Sequence, residues 1–193
     1  MLRTQREVIC KFHSDLPDDI VLRLEELAQR KRGRPAHWQK EYGDYLNLFA
    51  ASGLGVTAMR AGPLYDVPAG LLASGTSTSI DDTNAEFLHG GLEEWLPVVA
   101  AGVPLFAAIE GDHAVAVCAT VNASRRAHSA GVETVPAYRG RGFAGRAVAG
   151  WANAVRALGC TPFYATTFDN ISSQLVARRL NLSPVGSEFS LFC

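Results

Sequence analysis

Apolar residues recur at helical spacing in two stretches near the start of the chain. In residues 15–32, DLPDDIVLRLEELAQRKR, the apolar positions are Ile20, Leu22, Leu24 and Leu27. Pro17 opens the stretch, acids fill its first turn, basic residues end it and Gly33 stops it. That charge order complements the helix dipole. Residues 35–52 place Trp38, Tyr42, Tyr45, Leu46 and Phe49 on one helical stripe, closed by Gly53 and Gly55. Residues 1–55 are therefore expected to form a helical N-terminal extension.

The pattern then changes period. Residues 56–67, VTAMRAGPLYDV, read as a strand bent at Gly62-Pro63, and residues 77–102 as two short helices broken at Gly90-Gly91. Residues 104–121 give the clearest hairpin, two apolar runs joined by Glu110-Gly111-Asp112-His113. Residues 127–136 form a further strand. A glycine turn follows, then a helix over 143–158 with Ala144, Val148, Trp151, Val155 and Leu158 inside and Arg146, Asn153 and Arg156 outside. Gly159 ends it. Residues 161–168 read as a strand, and NISSQLVARRL as the last helix with Asp169 or Asn170 as N-cap. Residues 183–193 close the chain as a strand. The expected fold class is α/β (α+β), with a mixed, mostly antiparallel sheet flanked by helices over residues 56–193.

Composition narrows the class. The 193 residues, 48% hydrophobic and 19% charged, match one globular domain with a small extension. Four scattered cysteines, Cys10, Cys118, Cys160 and Cys193, form no CxxC or CxxH pair. Neither a metal site nor a disulfide framework is expected, and the compartment reads as a reducing cytoplasm. The start of the chain has no apolar signal core. The longest apolar run, residues 95–109, is broken by Pro97, Gly102 and Pro104 and is shorter than the roughly 20 residues of a membrane span. Charge is unevenly placed. Residues 51–112 hold eight acids and one basic residue, Arg60, whereas residues 113–193 hold eight arginines against Glu133, Asp169 and Glu188. That division points to a polyanionic cofactor on one side and a cationic substrate on the other.

The glycine turn carries the chemistry. Residues 133–152 read ETVPAYRGRGFAGRAVAGWA. Gly140, Gly142 and Gly145 fit the dinucleotide pattern GxGxxG, and Asp169 follows the next strand where a ribose-binding acid belongs. Against that reading, Pro136, Ala137, Tyr138 and Arg139 intervene after the strand, the preceding hairpin is antiparallel, and too little chain follows for a doubly wound sheet. No Gly-Lys-Ser/Thr follows, so a nucleotide P-loop is the weaker reading still.

Read from Arg139, the same stretch is Arg-x-x-Gly-x-Ala, through Gly142 and Ala144, between a strand and a helix. With the hairpin before it, the strand after it and DNISSQLVARRLNL as last helix, the chain resembles the GNAT superfamily of N-acetyltransferases over about residues 56–193. The resemblance implies the acyl-CoA N-acyltransferase fold, with acetyl-CoA as cofactor and acetyl transfer to a primary amine by direct attack in a ternary complex. It places the coenzyme A phosphates on Arg139, Gly140, Arg141, Gly142, Phe143, Ala144, Gly145 and Arg146. The pantetheine arm falls beside residues 131–135, hence Thr134 and Val135, with Asn170 and Ser173 of the last helix also at the cofactor. The physics agrees: a helix N-terminus offers unpaired N–H groups, glycines let them approach an anion, and arginines add charge-assisted bonds.

The amide near Val135 is expected to polarise the thioester carbonyl, and Glu133 to act as base, directly or through water. A plain solvent-facing glutamate is the competing reading of Glu133, and His128 is a second candidate. Many members carry a general-acid tyrosine in the last helix; here that position is Ala177. Tyr164, Thr166, Ser173 or water are the substitutes. Asn181 stands where a glycine usually ends that helix, and Asn tolerates the left-handed conformation. The missing tyrosine keeps a rival reading open, a non-catalytic acyl-CoA-binding module.

Three blander features complete the picture. RKRGR, residues 30–34, reads as a basic helix end before it reads as a nucleic-acid contact, so tRNA is the weaker partner. Trp38, Tyr42 and Tyr45 read as core before pocket, and Cys118 as a small buried hydrophobe. The expected partner is a small-molecule or peptide amine, with no membrane; a homodimer is left open.

Overall fold

The computed structural model describes residues 1–4, 8–30, 38–71 and 75–193. Gly33 and the basic residues 31–34 lie outside the described residues, as does the side chain of Trp38. The chain divides into two compact units, Met1–Leu64 with Val185–Cys193, and Tyr65–Pro184.

In chain order the strands are β1 (Leu2–Thr4), β2 (Val8–Ile9), β3 (Ala58–Asp66), β4 (Thr78–Ser79), β5 (Leu105–Glu110), β6 (His113–Ala123), β7 (Ala127–Thr134), β8 (Thr161–Ala165) and β9 (Ser183–Phe192). The α-helices are α1 (Asp18–Arg30), α2 (Trp38–Ala51), α3 (Leu96–Ala100), α4 (Phe143–Ala157) and α5 (Ile171–Arg179).

In the first unit, α1 begins with Asp18 and Asp19 and ends with Arg30, as its dipole favours. Its buried stripe is Ile20, Leu24 and Ala28, four residues apart. Leu22, apolar but two positions from that stripe, is 62% exposed. On α2 the stripe is Tyr42, Tyr45 and Phe49. Tyr42 stacks on Phe189 of β9 with ring centroids 4.3 Å apart, and Tyr45 packs against the same ring. The strands β1 and β2 were not anticipated. They are too short for alternation to register, and β1 is held by pairing: Leu2 lies opposite Glu188, and the Phe189 amide donates to Met1 O at 2.8 Å.

In the second unit the strand order is β8-β7-β6-β5-β4. All neighbours are antiparallel except β7 and β8, which are parallel and joined through α4. One face of this sheet packs on α4: Ala147, Val148, Trp151, Ala152 and Val155 meet Cys118, Ala130 and Tyr164. The Trp151 indole donates to Thr120 Oγ1 at 3.0 Å, and that oxygen also lies 3.0 Å from His128 Nδ1. The other face buries Val117 and Ala119 against Leu88, Leu92 and Ile80. The break at Gly90 and Gly91 is where the sequence places it, with φ of 108° and 125°, but the flanking helices shrink to short 3₁₀ turns and α3.

Expectations for α4 are corrected at Leu158, at Arg156 and at Arg146, which is half-buried rather than outside. Leu158 ends beyond the last turn and is 60% exposed. Arg156 is half-buried: its guanidinium donates to Val67 O and Ala152 O, anchoring the helix rather than facing water.

Candidate cofactor and catalytic site

The site is built around an edge of β7. Its pairing with β8 runs from Ala127↔Thr161 to Ala130↔Tyr164 and stops, so among the described residues no strand pairs with 131–134 on that side. On the other side the register with β6 continues through Gly131↔Ala119, Val132↔Cys118, Glu133↔Val117 and Thr134↔Ala116, and the Val135 amide donates to Val115 O at 3.0 Å. Bonded and non-bonded pairs alternate in an antiparallel ladder. Gly131, Glu133 and Val135 therefore spend their peptide groups on β6, and Val132 and Thr134 direct theirs to the open edge. This corrects the amide expected to be available: Val135 is occupied, and Thr134 carries the outward N–H.

After β7 the 3₁₀ turn Pro136–Tyr138 leads into residues 139–142. Gly140 and Gly142 have φ of 80° and 87°, which a side chain strongly disfavours. Gly142 is the N-cap of α4 and supplies no capping side chain. The first amide to find a backbone acceptor after the turn is Gly145, donating to Gly142 O at 3.1 Å. The amides of residues 140–144 have no acceptor in the described chain. A β-carbon built on Gly140 or Gly142 meets nothing within 4 Å, so the surface they line is open. Successive unpaired N–H groups at a helix N-terminus are an anion cradle.

The arginines divide. Arg139 is exposed, and its Nε donates to Thr134 O at 3.1 Å, which fixes its base at the open edge and leaves its terminal nitrogens outward. Arg141 pairs with Glu110 at 3.2 Å and lies over the Tyr138 and Phe143 rings. Arg146 lies over Phe143 at 4.7 Å and against Gly75, and its buried Nε has no hydrogen-bond partner among the described residues. An orphaned guanidinium nitrogen, an open glycine turn and a run of unpaired amides fit a diphosphate. Gly145 does something else: a β-carbon there would come within 2.9 Å of Leu180 Cδ2, so its bareness lets α4 pack against the end of α5.

On α5, Asn170 Oδ1 accepts from the Ser173 amide at 2.9 Å, an ordinary N-cap. Ser173 Oγ lies 2.7 Å from the Tyr164 hydroxyl. The Tyr164 ring is 1% exposed, and desolvation pushes its hydroxyl well above the usual tyrosine range. Tyr164 is thus a core residue whose proton is committed to Ser173, not a hydroxyl facing the open edge. Ala177 is fully buried and leaves no titratable group at its position. Asn181 adopts φ of 52°, the left-handed conformation expected of it.

Glu133 lies on the face of β7 away from α4, with Val135. Its Oε2 accepts from the Trp95 indole at 2.7 Å. Glu94 stands beside it, and the nearness of the Glu133 carboxyl, then its charge, raises the Glu94 pKa. His128 is held by Thr120 on the α4 side and does not join Glu133. Sequence reading passed over Trp95 and Glu94. The available signal was Gly131, a glycine inside a strand, which marks close approach of another group.

No family model and no curated protein matches the chain. Solved structures do. A GNAT-family protein from Novosphingobium aromaticivorans DSM 12444 aligns with a TM-score of 0.58 at 14% identity, over 71% of this chain and 65% of its own. A GNAT-family acetyltransferase from Colwellia psychrerythraea gives 0.52 at 14%, over 77% and 62%. A GCN5-related N-acetyltransferase-like protein from Streptococcus suis 89/1591 gives 0.50 at 14%, over 80% and 69%. The chain spans somewhat under two thirds of the first two. The fold of this chain, a mixed and mostly antiparallel sheet flanked by helices, is the acyl-CoA N-acyltransferase fold of these GNAT-family structures.

Proposed function

We propose that the chain is an acetyl-CoA-dependent N-acetyltransferase acting on a primary amine, with the transfer carried by residues 56–193 and residues 1–55 as an extension. The observation that carries this reading is the run of unpaired amides over residues 140–144 beside an open strand edge. Acetyl-CoA supplies a diphosphate, an extended amide-bearing arm and a thioester, and each has a counterpart here. The amides of residues 140–144, the start of α4 and the guanidinium groups of Arg139 and Arg146 hold the diphosphate. The peptide groups of Val132 and Thr134 pair with the arm, and Asn170 and Ser173 flank it. The outward N–H of Thr134 polarises the thioester carbonyl, an oxyanion-hole role.

An alkylammonium has a pKa of about 10.4, so the acceptor needs a base. Glu133 takes that proton, directly or through a water. The freed nitrogen pair then forms the C–N bond as the C–S bond breaks. The nitrogen sheds its second proton to water, and the departing thiolate, with a thiol pKa of about 8.5, takes one from water, since Ala177 provides none and Tyr164 is enclosed. The acid-rich stretch 51–112 favours a cationic acceptor.

The same buried Ala177 favours a second reading, a non-catalytic acyl-CoA-binding module. Calorimetric titration with acetyl-CoA, NAD⁺ and ATP, followed by thiol release against a panel of amines, separates the two. The first reading expects binding of acetyl-CoA alone and turnover on an amine. Binding without turnover selects the second, and preference for NAD⁺ or ATP overturns both.

A further inference from the structure

Glu133 is not held by its own strand. The 3₁₀ turn Glu93–Trp95 sets Trp95 above β7, and the indole Nε1 donates to Glu133 Oε2 at 2.7 Å. Indole nitrogen is a donor only, so it bonds best to the ionised carboxylate. Two features place the ring. Gly131 has no side chain, and a β-carbon there would run into Val121 Cγ1 and stand 3.0 Å from Trp95 Cη2, so Val121 and the indole edge share the space the glycine leaves. The turn before Trp95 is itself tied down, because the Glu93 carboxylate accepts from the amides of Gly90 at 2.8 Å and Gly91 at 3.0 Å. Below, Trp95 packs on the cluster of Leu88, Leu92 and Val117. Glu94 is the other neighbour of the Glu133 carboxylate, whose presence raises the Glu94 pKa.

We propose that Trp95 is the positioning residue for Glu133: its indole N–H fixes the carboxylate in one place at the end of β7. This rests on the reading of Glu133 as the base for amine acetylation. Trp95 touches neither amine nor thioester. It acts through Glu133, so its loss lowers the rate of the chemical step and leaves the affinity for acetyl-CoA alone.

The test is a double-mutant cycle in the full chain with Trp95→Phe, Glu133→Gln and the pair, read as kcat and as KM for acetyl-CoA. Trp95→Phe is expected to lower kcat roughly 10- to 100-fold, as for a displaced catalytic group, with KM for acetyl-CoA unchanged. In the Glu133→Gln background the same substitution is expected to change kcat by less than about 2-fold, because the group it serves is gone. The Trp95 Nε1–H resonance is expected downfield in the wild type and shifted upfield in Glu133→Ala. Should Trp95→Phe not fold, replacing Trp95 by its benzothienyl isostere removes the N–H at constant shape, with the same expected result. An unchanged kcat, or an equal loss in both backgrounds, overturns the inference while the acetyltransferase reading stands. Absence of turnover by the wild type on every amine overturns both.

Discussion

Gly150 of α4 and Phe106 of β5 meet so closely that a β-carbon on the glycine would fall 2.6 Å from Phe106 Cδ1. Ser77 Oγ crowds the same spot. The absence of one side chain thus lets α4 settle against the sheet, and α4 in turn presents its unpaired N-terminal amides beside β7. Replacing Gly150 with Ala sets two effects against each other. Helix propensity favours Ala by about 1 kcal/mol, whereas overpacking a tight contact costs roughly 1–3 kcal/mol. The overlap is with a ring and a hydroxyl at once, so destabilisation wins. Gly43 in α2 is the control, because a β-carbon there meets nothing within 4 Å. Urea unfolding should show Gly150→Ala less stable than wild type and Gly43→Ala more stable, by about 0.5–1 kcal/mol.

Gly142 faces a different constraint. Its φ of 87° is hostile to any side chain, and the space before it is open. Gly142→Val must either strain the turn or rotate the first amides of α4 away from their common focus. Affinity for acetyl-CoA, measured by calorimetry, is expected to fall at least about tenfold, the equivalent of roughly 1.4 kcal/mol. Unaltered affinity with an intact fold would remove the glycine turn from the account.

Glu94 should reveal its neighbour through pH. The nearness of the Glu133 carboxyl, then its charge, raises the pKa of Glu94 above its ordinary 4.5. A folded-state pKa above the unfolded one means that protonation favours the fold. The stabilisation is therefore present below about the unfolded value and lost as pH rises through the folded one. Glu94→Gln removes the repulsion. Its melting temperature is expected to exceed the wild type's at pH 7, and the difference to shrink as pH falls toward 4. A difference that is constant with pH would show that the two carboxyls do not interact.

Asn181 closes α5 in the left-handed conformation, φ 52°. Glycine accepts that conformation freely and alanine does not. Asn181→Gly is expected to leave stability within about 0.5 kcal/mol, and Asn181→Ala to cost about 1 kcal/mol, the scale of the left-handed penalty. Equal melting curves for the two variants would contradict the cap assignment.

Much of this was legible in the residues, for physical reasons. The hairpin over β5 and β6, the stop of α4 at Gly159 and the left-handed Asn181 follow from local chemistry: turn residues, periodicity and backbone freedom. What escaped depends on partners distant in the chain. The strand β1 exists because Phe189 and its neighbours pair with it. Leu22 and Leu158 are apolar yet exposed, because hydrophobicity does not say which side of a helix has a neighbour. At the candidate site the glycine turn was readable as sequence. The direction of the Val135 amide depends on ladder register, and the hold of Trp95 on Glu133 spans 38 positions, so neither could be. Tyr164 looked available because its strand ends near the site; burial under α5 is a tertiary fact.

The central claim is that the amides of residues 140–144 bind the coenzyme A diphosphate. The most direct measurement is an amide-resolved NMR titration with acetyl-CoA. The account predicts that the resonances of Gly140, Gly142, Phe143 and Ala144 move furthest and saturate together, with Thr134 following. Saturable binding that leaves those amides in place and shifts another region would contradict it.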